Sequence, residues 1–271
     1  MSKEIWVCGE VLIDLIPRGE KKIAIVGGGP ANTAKALALL GFDSYFIDGI
    51  SSDAYGEKAK AELLYAGVNL KYANFTDKPT CTADVSLDSA GVASYVFAIE
   101  GSATFDFSHD WLPDPLEIKP AVLQIGTLAT IVEPAATILL EWAQKVATVA
   151  PIVFDPNVRS SVVSDRTKYQ AAVARWTAIS AVIKVSEDDL AWLYPEREQL
   201  DIAAQWLNEG AALVIITKGS YGLIGITKEG SVTVPGVKVE VADTVGAGDT
   251  VGAIVVEAIV ERGLSTLHGD V

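Results

Sequence analysis

Asp243-Thr-Val-Gly-Ala-Gly-Asp249 stands between a strand-like run at 231–241 and an apolar run at 250–260. Its two glycines let the backbone turn tightly and present N–H groups. The apolar run predicts a helix, so those groups lie at a helix N-terminus, where negative charge is favoured. Asp249 places a carboxylate at the mouth of this anion site. For binding alone that is poor chemistry, because the two negative charges repel. It makes sense when the acid takes a proton from a hydroxyl that attacks a bound phosphate. On spacing alone, a plain Gly-rich helix entry with Asp249 as a first-turn acid stands level with it. A Walker loop is excluded, since no Gly-Lys-Ser/Thr follows the glycines.

Upstream the chain alternates. Strand-like runs at 122–125, 152–154, 181–185 and 213–216 are separated by helical patterns at 133–147, 169–178 and 201–209. Repeated strand–helix units predict a parallel sheet with helices on both faces. Three of these runs end in polar clusters: Asp155-Pro-Asn-Val-Arg159, Ser186-Glu-Asp-Asp189 and Thr217-Lys-Gly219. Singly, such clusters read as caps or turns. Together they mark the C-terminal ends of the strands, where open α/β sheets bind ligands.

The N-terminal third opens with a buried strand at 5–8 and an extended run at 11–16. Asp14 sits inside that apolar run, and burying it ionised and unpaired would be costly. It is therefore either paired or facing a cleft. A strand at 22–26 leads through Gly27-Gly-Gly-Pro-Ala-Asn-Thr-Ala34 into a helix that Gly41 stops. Pro30 suits a first helical position. Asp48 follows at the distance a dinucleotide fingerprint wants, so a dinucleotide-binding oxidoreductase competes. Asn32, however, occupies the place of the third glycine, and this alternative leaves 243–249 unexplained. An Asn at a Gly-lined helix start offers donors and an acceptor to a polar ligand. A strand at 44–50 and a helix at 55–66 follow. Runs at 82–87 and 93–99 flank Asp88-Ser-Ala-Gly91 with no helix between them, which predicts a hairpin in a small added sheet.

The 271 residues are half hydrophobic, enough for a sizeable core. No apolar run is long enough for a transmembrane helix, and the N-terminus lacks a signal peptide's apolar segment, so a cytoplasmic protein is expected. A net charge of −14 without a basic cluster argues against nucleic acid and anionic membranes as partners. Cys8 and Cys81 lie in strand-like runs and read as buried, reduced thiols. With His109 and His268 the only histidines, neither a Cys/His zinc site nor a Ser-His-Asp triad is expected.

On these motifs the chain resembles the PfkB, or ribokinase-like, family of carbohydrate kinases, and most closely its bacterial fructokinases. Residues 243–249 are similar to the family's C-terminal signature, and Gly27-Gly-Gly-Pro-Ala-Asn32 with Gly41 to the N-terminal one. Phe154-Asp-Pro-Asn-Val-Arg159, Lys184-Val-Ser-Glu-Asp-Asp189 and Thr217-Lys-Gly219 resemble the blocks between, in order, from about Trp6 to about Gly263.

The resemblance implies one ribokinase-like α/β domain over 1–271, with a central, mostly parallel sheet, helices on both faces and a small β-lid. The lid strands would lie at about 11–26 and 82–99. Asp249 would be the catalytic base, and the amides of Gly246, Ala247 and Gly248 the anion hole. Asp14, Gly28 and Asn32 would hold sugar hydroxyls, with Asn157 and Arg159 near sugar or phosphates. Ser186 and Asp189 would stand near the metal and phosphates, and Thr217 and Gly219 along the nucleotide. ATP and Mg2+ come with the family, as does a potassium ion near the Asp243 loop. Fructose is the expected sugar; ribose, 2-keto-3-deoxygluconate, a nucleoside, or a non-catalytic binding role are the alternatives. An exposed lid edge offers a second copy a pairing surface, so a homodimer is expected.

Four departures qualify the likeness. Ser51 stands where the N-terminal signature usually has Gly, and Ser186 and Asp189 replace the usual Asn and Glu. No basic residue appears in 95–103, where some fructokinases carry a sugar-facing Arg. Family members continue past the helix that ends here near Gly263, so a shortened C-terminus and an incomplete adenine pocket are expected.

Overall fold

The computed structural model describes residues 4–19, 21–87, 93–238 and 245–264. Strand β1 (Ile5–Cys8) leads into β2 (Leu12–Arg18), β3 (Lys21–Gly27) and helix α1 (Gly29–Leu39). Then come β4 (Ser44–Ile47), β5 (Gly49–Ser51), α2 (Ala54–Tyr65) and β6 (Asn74–Thr76). β7 (Thr82–Leu87) and β8 (Ala93–Ala98) pair as the expected hairpin, whose turn lies outside the described residues. The second half runs α3 (Pro115–Ile118), β9 (Val122–Gly126), α4 (Ala135–Ala147), β10 (Ile152–Asp155), α5 (Arg166–Thr177), β11 (Val182–Ser186), α6 (Glu187–Leu193) and α7 (Gln199–Asn208). It closes with β12 (Leu213–Thr217), β13 (Gly222–Thr227), β14 (Gly230–Pro235) and α8 (Ala247–Glu261).

The large sheet has the order β14-β13-β12-β11-β10-β9-β1-β4. It is parallel from β12 to β4, and β13 and β14 are antiparallel. Its central strands read as continuous apolar runs because both faces are covered. In β1, Ile5 and Val7 join a core with α1, α2 and α8. Trp6 and Cys8 face the opposite core, with α4 to α7. Trp142 of α4 stacks on Trp6 at 5.6 Å between ring centroids, and Trp176 of α5 on Phe154 at 5.9 Å. Each such buried ring contributes about 1.5–3 kcal/mol of transfer free energy.

A second sheet, β3-β2-β7-β8, grows from the same end. β2 continues from β1 after Gly9-Glu10, and β3 delivers the chain to α1. From β1 the large sheet extends through β4 one way and through β9 to β12 the other. That reversal opens a crevice at the strands' C-terminal ends, below the second sheet. Asp53 ties the junction. It caps α2 through Gly56 N (2.8 Å) and also accepts from Thr80 N (2.8 Å) and Oγ1 (2.6 Å) just before β7.

The structure corrects several expectations. The strand expected at 44–50 breaks at Asp48, which is fully buried and accepts from Val11 N at 2.8 Å and from the Thr104 hydroxyl. Asp48 therefore holds a loop and cannot reach a ribose. The Gly27–Asn32 stretch follows a strand of the second sheet rather than of the parallel one, so the dinucleotide arrangement is absent. The strand at 231–241 is the antiparallel β14, and its last residues lie outside the described ones. β13, α6 and the short α3 and β6 were not foreseen. Cys8 and Cys81 are buried and free, as expected. Among the described residues no helix is long and apolar enough to cross a membrane.

Candidate active site

Gly246 opens α8 with a left-handed φ of 79°, which glycine adopts without strain. Thr250 N bonds back to Gly246 O at 2.8 Å. The amides of Ala247, Gly248 and Asp249 belong to the first turn and have no intrahelical acceptor. α8 lies against α1, and two side chains of α1 fix Asp249. Asn32 Nδ2 donates to Asp249 Oδ2 at 2.9 Å, and Thr33 Oγ1 to its carbonyl at 3.2 Å.

α1 itself starts at Gly28, with φ 107°. A Cβ there would stand 2.3 Å from Glu10 O, so only glycine lets the helix entry rest on the segment after β1. Gly29 does something different. A Cβ on it would lie 3.0 Å from Asn157 Nδ2, 3.1 Å from Thr127 Oγ1 and 3.2 Å from Asp249 Oδ1. Three polar groups, from the segments after β9 and β10 and from α8, thus converge on space that a missing side chain leaves open.

The loop after β10 is held on several sides. Asn157 has a left-handed φ of 36° and donates to Thr127 Oγ1 at 3.2 Å. Arg159 Nη1 donates to Asn157 Oδ1 (2.8 Å), Asn157 O (3.2 Å) and Val158 O (3.1 Å). Asp189 accepts from Val158 N at 3.0 Å and from Ser186 N at 3.4 Å, while its own N donates to Ser186 Oγ at 3.0 Å. Ser186 and Asp189 are thus a capping box that starts α6 and anchors the loop. Thr217 sits beside Ser186 in register and donates to Val185 O at 3.4 Å. Gly219, with φ 52°, faces open space. Asp243, the expected potassium ligand, lies outside the described residues.

Arg159 is the electrostatic centre. Its guanidinium favours the ionised forms of Asp14, Glu10, Asp189 and Asp249. Burial acts the other way and raises all four. For Asp249 the burial effect is largest, the Asn32 hydrogen bond opposes it, Asp155 adds to it, and Lys184 and Arg159 reduce it. Glu10 is pushed up to about 8 by burial, and Ala129 N donates to its Oε2 at 3.4 Å. Asp14 comes from the second sheet beside Gly27, where a Cβ would meet its Oδ2 at 2.3 Å. Its carboxylate takes no hydrogen bond among the described residues. Below the α8 entry, Lys184 Nζ donates to Asp155 Oδ2 at 2.6 Å. Among the described residues no group of three or more His, Cys, Asp or Glu side chains could hold a metal ion.

The expected residues Asp249, Gly246, Ala247, Gly248, Gly28, Asn32, Asn157 and Arg159 come together, with Asp14 joined to them through the charge of Arg159. Ser186, Asp189, Thr217 and Gly219 lie along the neighbouring strand ends. Thr127, Gly29, Glu10 and Lys184 were missed. The available signals were a threonine directly after an apolar strand and single charges within apolar runs.

The family described as pfkB family carbohydrate kinase matches residues 2–266. The chain belongs to the pfkB family of carbohydrate kinases. Among the relatives of this pfkB kinase is a fructokinase of Rhizobium leguminosarum bv. trifolii, 39% identical over 254 residues, which are 92% of this chain and 77% of the relative. The fructokinase of Vibrio cholerae O395, solved in its fructose-, ADP- and calcium-bound form, is 26% identical with a TM-score of 0.83. The match covers 96% of this chain and 85% of that one. A double mutant of the same protein, bound to fructose, ADP and potassium ion, matches equally well, covering 96% and 83%.

Proposed function

We propose that this pfkB kinase is an ATP-dependent fructokinase that transfers the γ-phosphoryl to the primary hydroxyl of fructose, giving fructose 6-phosphate. The carrying observation is the convergence of Asp249, Asn157 and Thr127 on the space beside Gly29, at the amide-rich start of α8. The identity to named fructokinases supports the sugar.

The geometry supports the following roles. Asp249 is fixed by Asn32 and accepts the hydroxyl proton as the new O–P bond forms. The first-turn amides of α8 face the charge that spreads over the transferred phosphoryl. Asp14, Asn32, Asn157 and the backbone at Gly28 bind sugar hydroxyls, and Arg159 balances the acids around them. Ser186, Thr217 and Gly219 line the nucleotide's path.

Mg2+ fits an oxygen-only donor set with no thiol or imidazole. When bound it supplies charge neutralisation on the phosphate oxygens. It would be held mainly by the nucleotide's phosphates, with Asp189 on the protein side, since a carboxylate keeps lone pairs beyond the two its backbone partners use. Potassium would sit near Asp243. The second sheet acts as a lid that keeps water from the phosphoryl. Its edge strands, β3 and β8, offer a pairing surface to a second copy. An enzyme of this kind works in the cytoplasm, with ATP.

The test is ADP formation with ATP and Mg2+ against fructose, glucose, ribose, 2-keto-3-deoxygluconate and a nucleoside, with Asp249→Ala as blank. Turnover of fructose that the variant loses supports the proposal. A preference for another of the five refutes the sugar assignment.

A further inference from the structure

Asp155 and Lys184 stand on neighbouring strands. The register that pairs Val153 with Val182 and Phe154 with Ile183 puts them side by side. Val153 and Val182 pack on the α1 and α8 face of the sheet, and with a period of two their neighbours Asp155 and Lys184 point the same way. The pair closes at 2.6 Å, with side chains only 7% and 6% exposed. Such a pair seldom stabilises a fold better than apolar residues of the same size would. It therefore needs a reason in an otherwise apolar layer.

Its surroundings supply one. Lys184 Nζ lies 3.1 Å from where a Cβ on Gly248 would stand. Asp155 Oδ1 is buried without a hydrogen-bond partner among the described residues. The pair as a whole is neutral, so what reaches the first turn of α8 is its dipole, positive end towards Gly248. In a buried site that dipole adds to the amides' attraction for a phosphoryl oxygen.

We propose that Lys184 is a positioning residue of phosphoryl transfer: held by Asp155, its ammonium forms the floor of the anion site at the start of α8. This deepens the kinase reading given above and rests on it. It also explains glycine at 248, where any side chain would meet the ammonium.

Lys184→Met alone leaves Asp155 buried without its counter-charge and can fail to fold, so the double variant Lys184→Met/Asp155→Leu is measured beside it. The first readout is the movement of the Gly246, Ala247 and Gly248 amide resonances as inorganic phosphate is titrated into the full chain. The double variant should bind phosphate about tenfold more weakly than wild type. It should bind fructose unchanged and unfold on heating no earlier. In turnover, kcat should fall about tenfold while KM for fructose holds. Equal phosphate affinity in the two proteins overturns the proposal, as do wild-type amides that do not respond to phosphate. Wild type that forms no ADP with fructose would refute the kinase reading instead, and the phosphate titration would still decide the role of Lys184.

Discussion

Asn32 Nδ2 donates to Asp249 Oδ2 at 2.9 Å, so a side chain of the first helix sets the carboxylate that opens the last one. Burial holds the Asp249 carboxyl above its ordinary range, and this bond is the first influence that opposes it. Only the ionised form can accept a proton, so activity is lost as pH falls through the raised value. Asn32→Ala should therefore move the acid limb of the kcat profile to higher pH. A hydrogen bond to a charged group is worth about 1.5–3 kcal/mol, so kcat/KM should fall by about one to two orders of magnitude. A pH–rate series checks both, and an acid limb that stays in place refutes the assignment.

Asp249→Asn keeps the shape and removes the base. Turnover should drop by about 10²–10⁴-fold, while calorimetry shows fructose still bound. The same variant should be the more stable protein at neutral pH. Asp249 binds its proton more tightly folded than unfolded, so its contribution to stability falls as pH rises from the ordinary carboxylate range through the raised value. The asparagine has no such fall. Denaturant melts at acid and neutral pH should show the gap opening only at neutral pH.

Two adjacent glycines should fail in different ways. Gly28→Ala meets Glu10 O at 2.3 Å in a left-handed conformation and should cost at least about 2 kcal/mol, seen in denaturant melts. Gly29→Ala meets side-chain atoms at 3.0–3.2 Å, so the fold should survive while the methyl intrudes on the sugar's space. Its signature is a raised KM for fructose with a near-normal melt. Equal stability losses in both would refute the distinction.

Glu10 gives stability a second dependence on pH. Burial pushes it up to about 8, so it is protonated in the folded protein across the range where the unfolded chain is ionised. Native stability should therefore decline between the ordinary carboxylate range and about 8, and level off above it. Glu10→Gln should melt several degrees higher than wild type at alkaline pH and close to it in acid. Parallel pH profiles for the two proteins would refute this.

The strand–helix rhythm was legible because its strands are buried on both faces and its helices are long. What escaped depends on pairing between distant segments. β13 carries Gly222 and Gly225, which break the β signal, and it is defined by β12 and β14 beside it. Ser186-Glu-Asp-Asp189 looked like a strand-end cluster because α6 is only seven residues long, and its capping box is visible only with the backbone in hand. Asp249 and its glycines could be read from local chemistry. Lys184 could not, since its meaning comes from Asp155 on the next strand and Gly248 on a helix 64 residues later. Asp48 misled for the same reason: its spacing matched a ribose contact, and its partners turned out to be Val11 and Thr104.

Asn32 and Asp249 are separated by 217 positions along the chain. A ribosome adding about 5–20 residues each second needs upwards of ten seconds to make the second after the first. Throughout that interval the nascent polypeptide has no Asp249 to accept the hydroxyl proton. Competence arrives late in synthesis, so a stalled or clipped product lacking α8 would lack the base, the first-turn amides and the helix that α1 packs against.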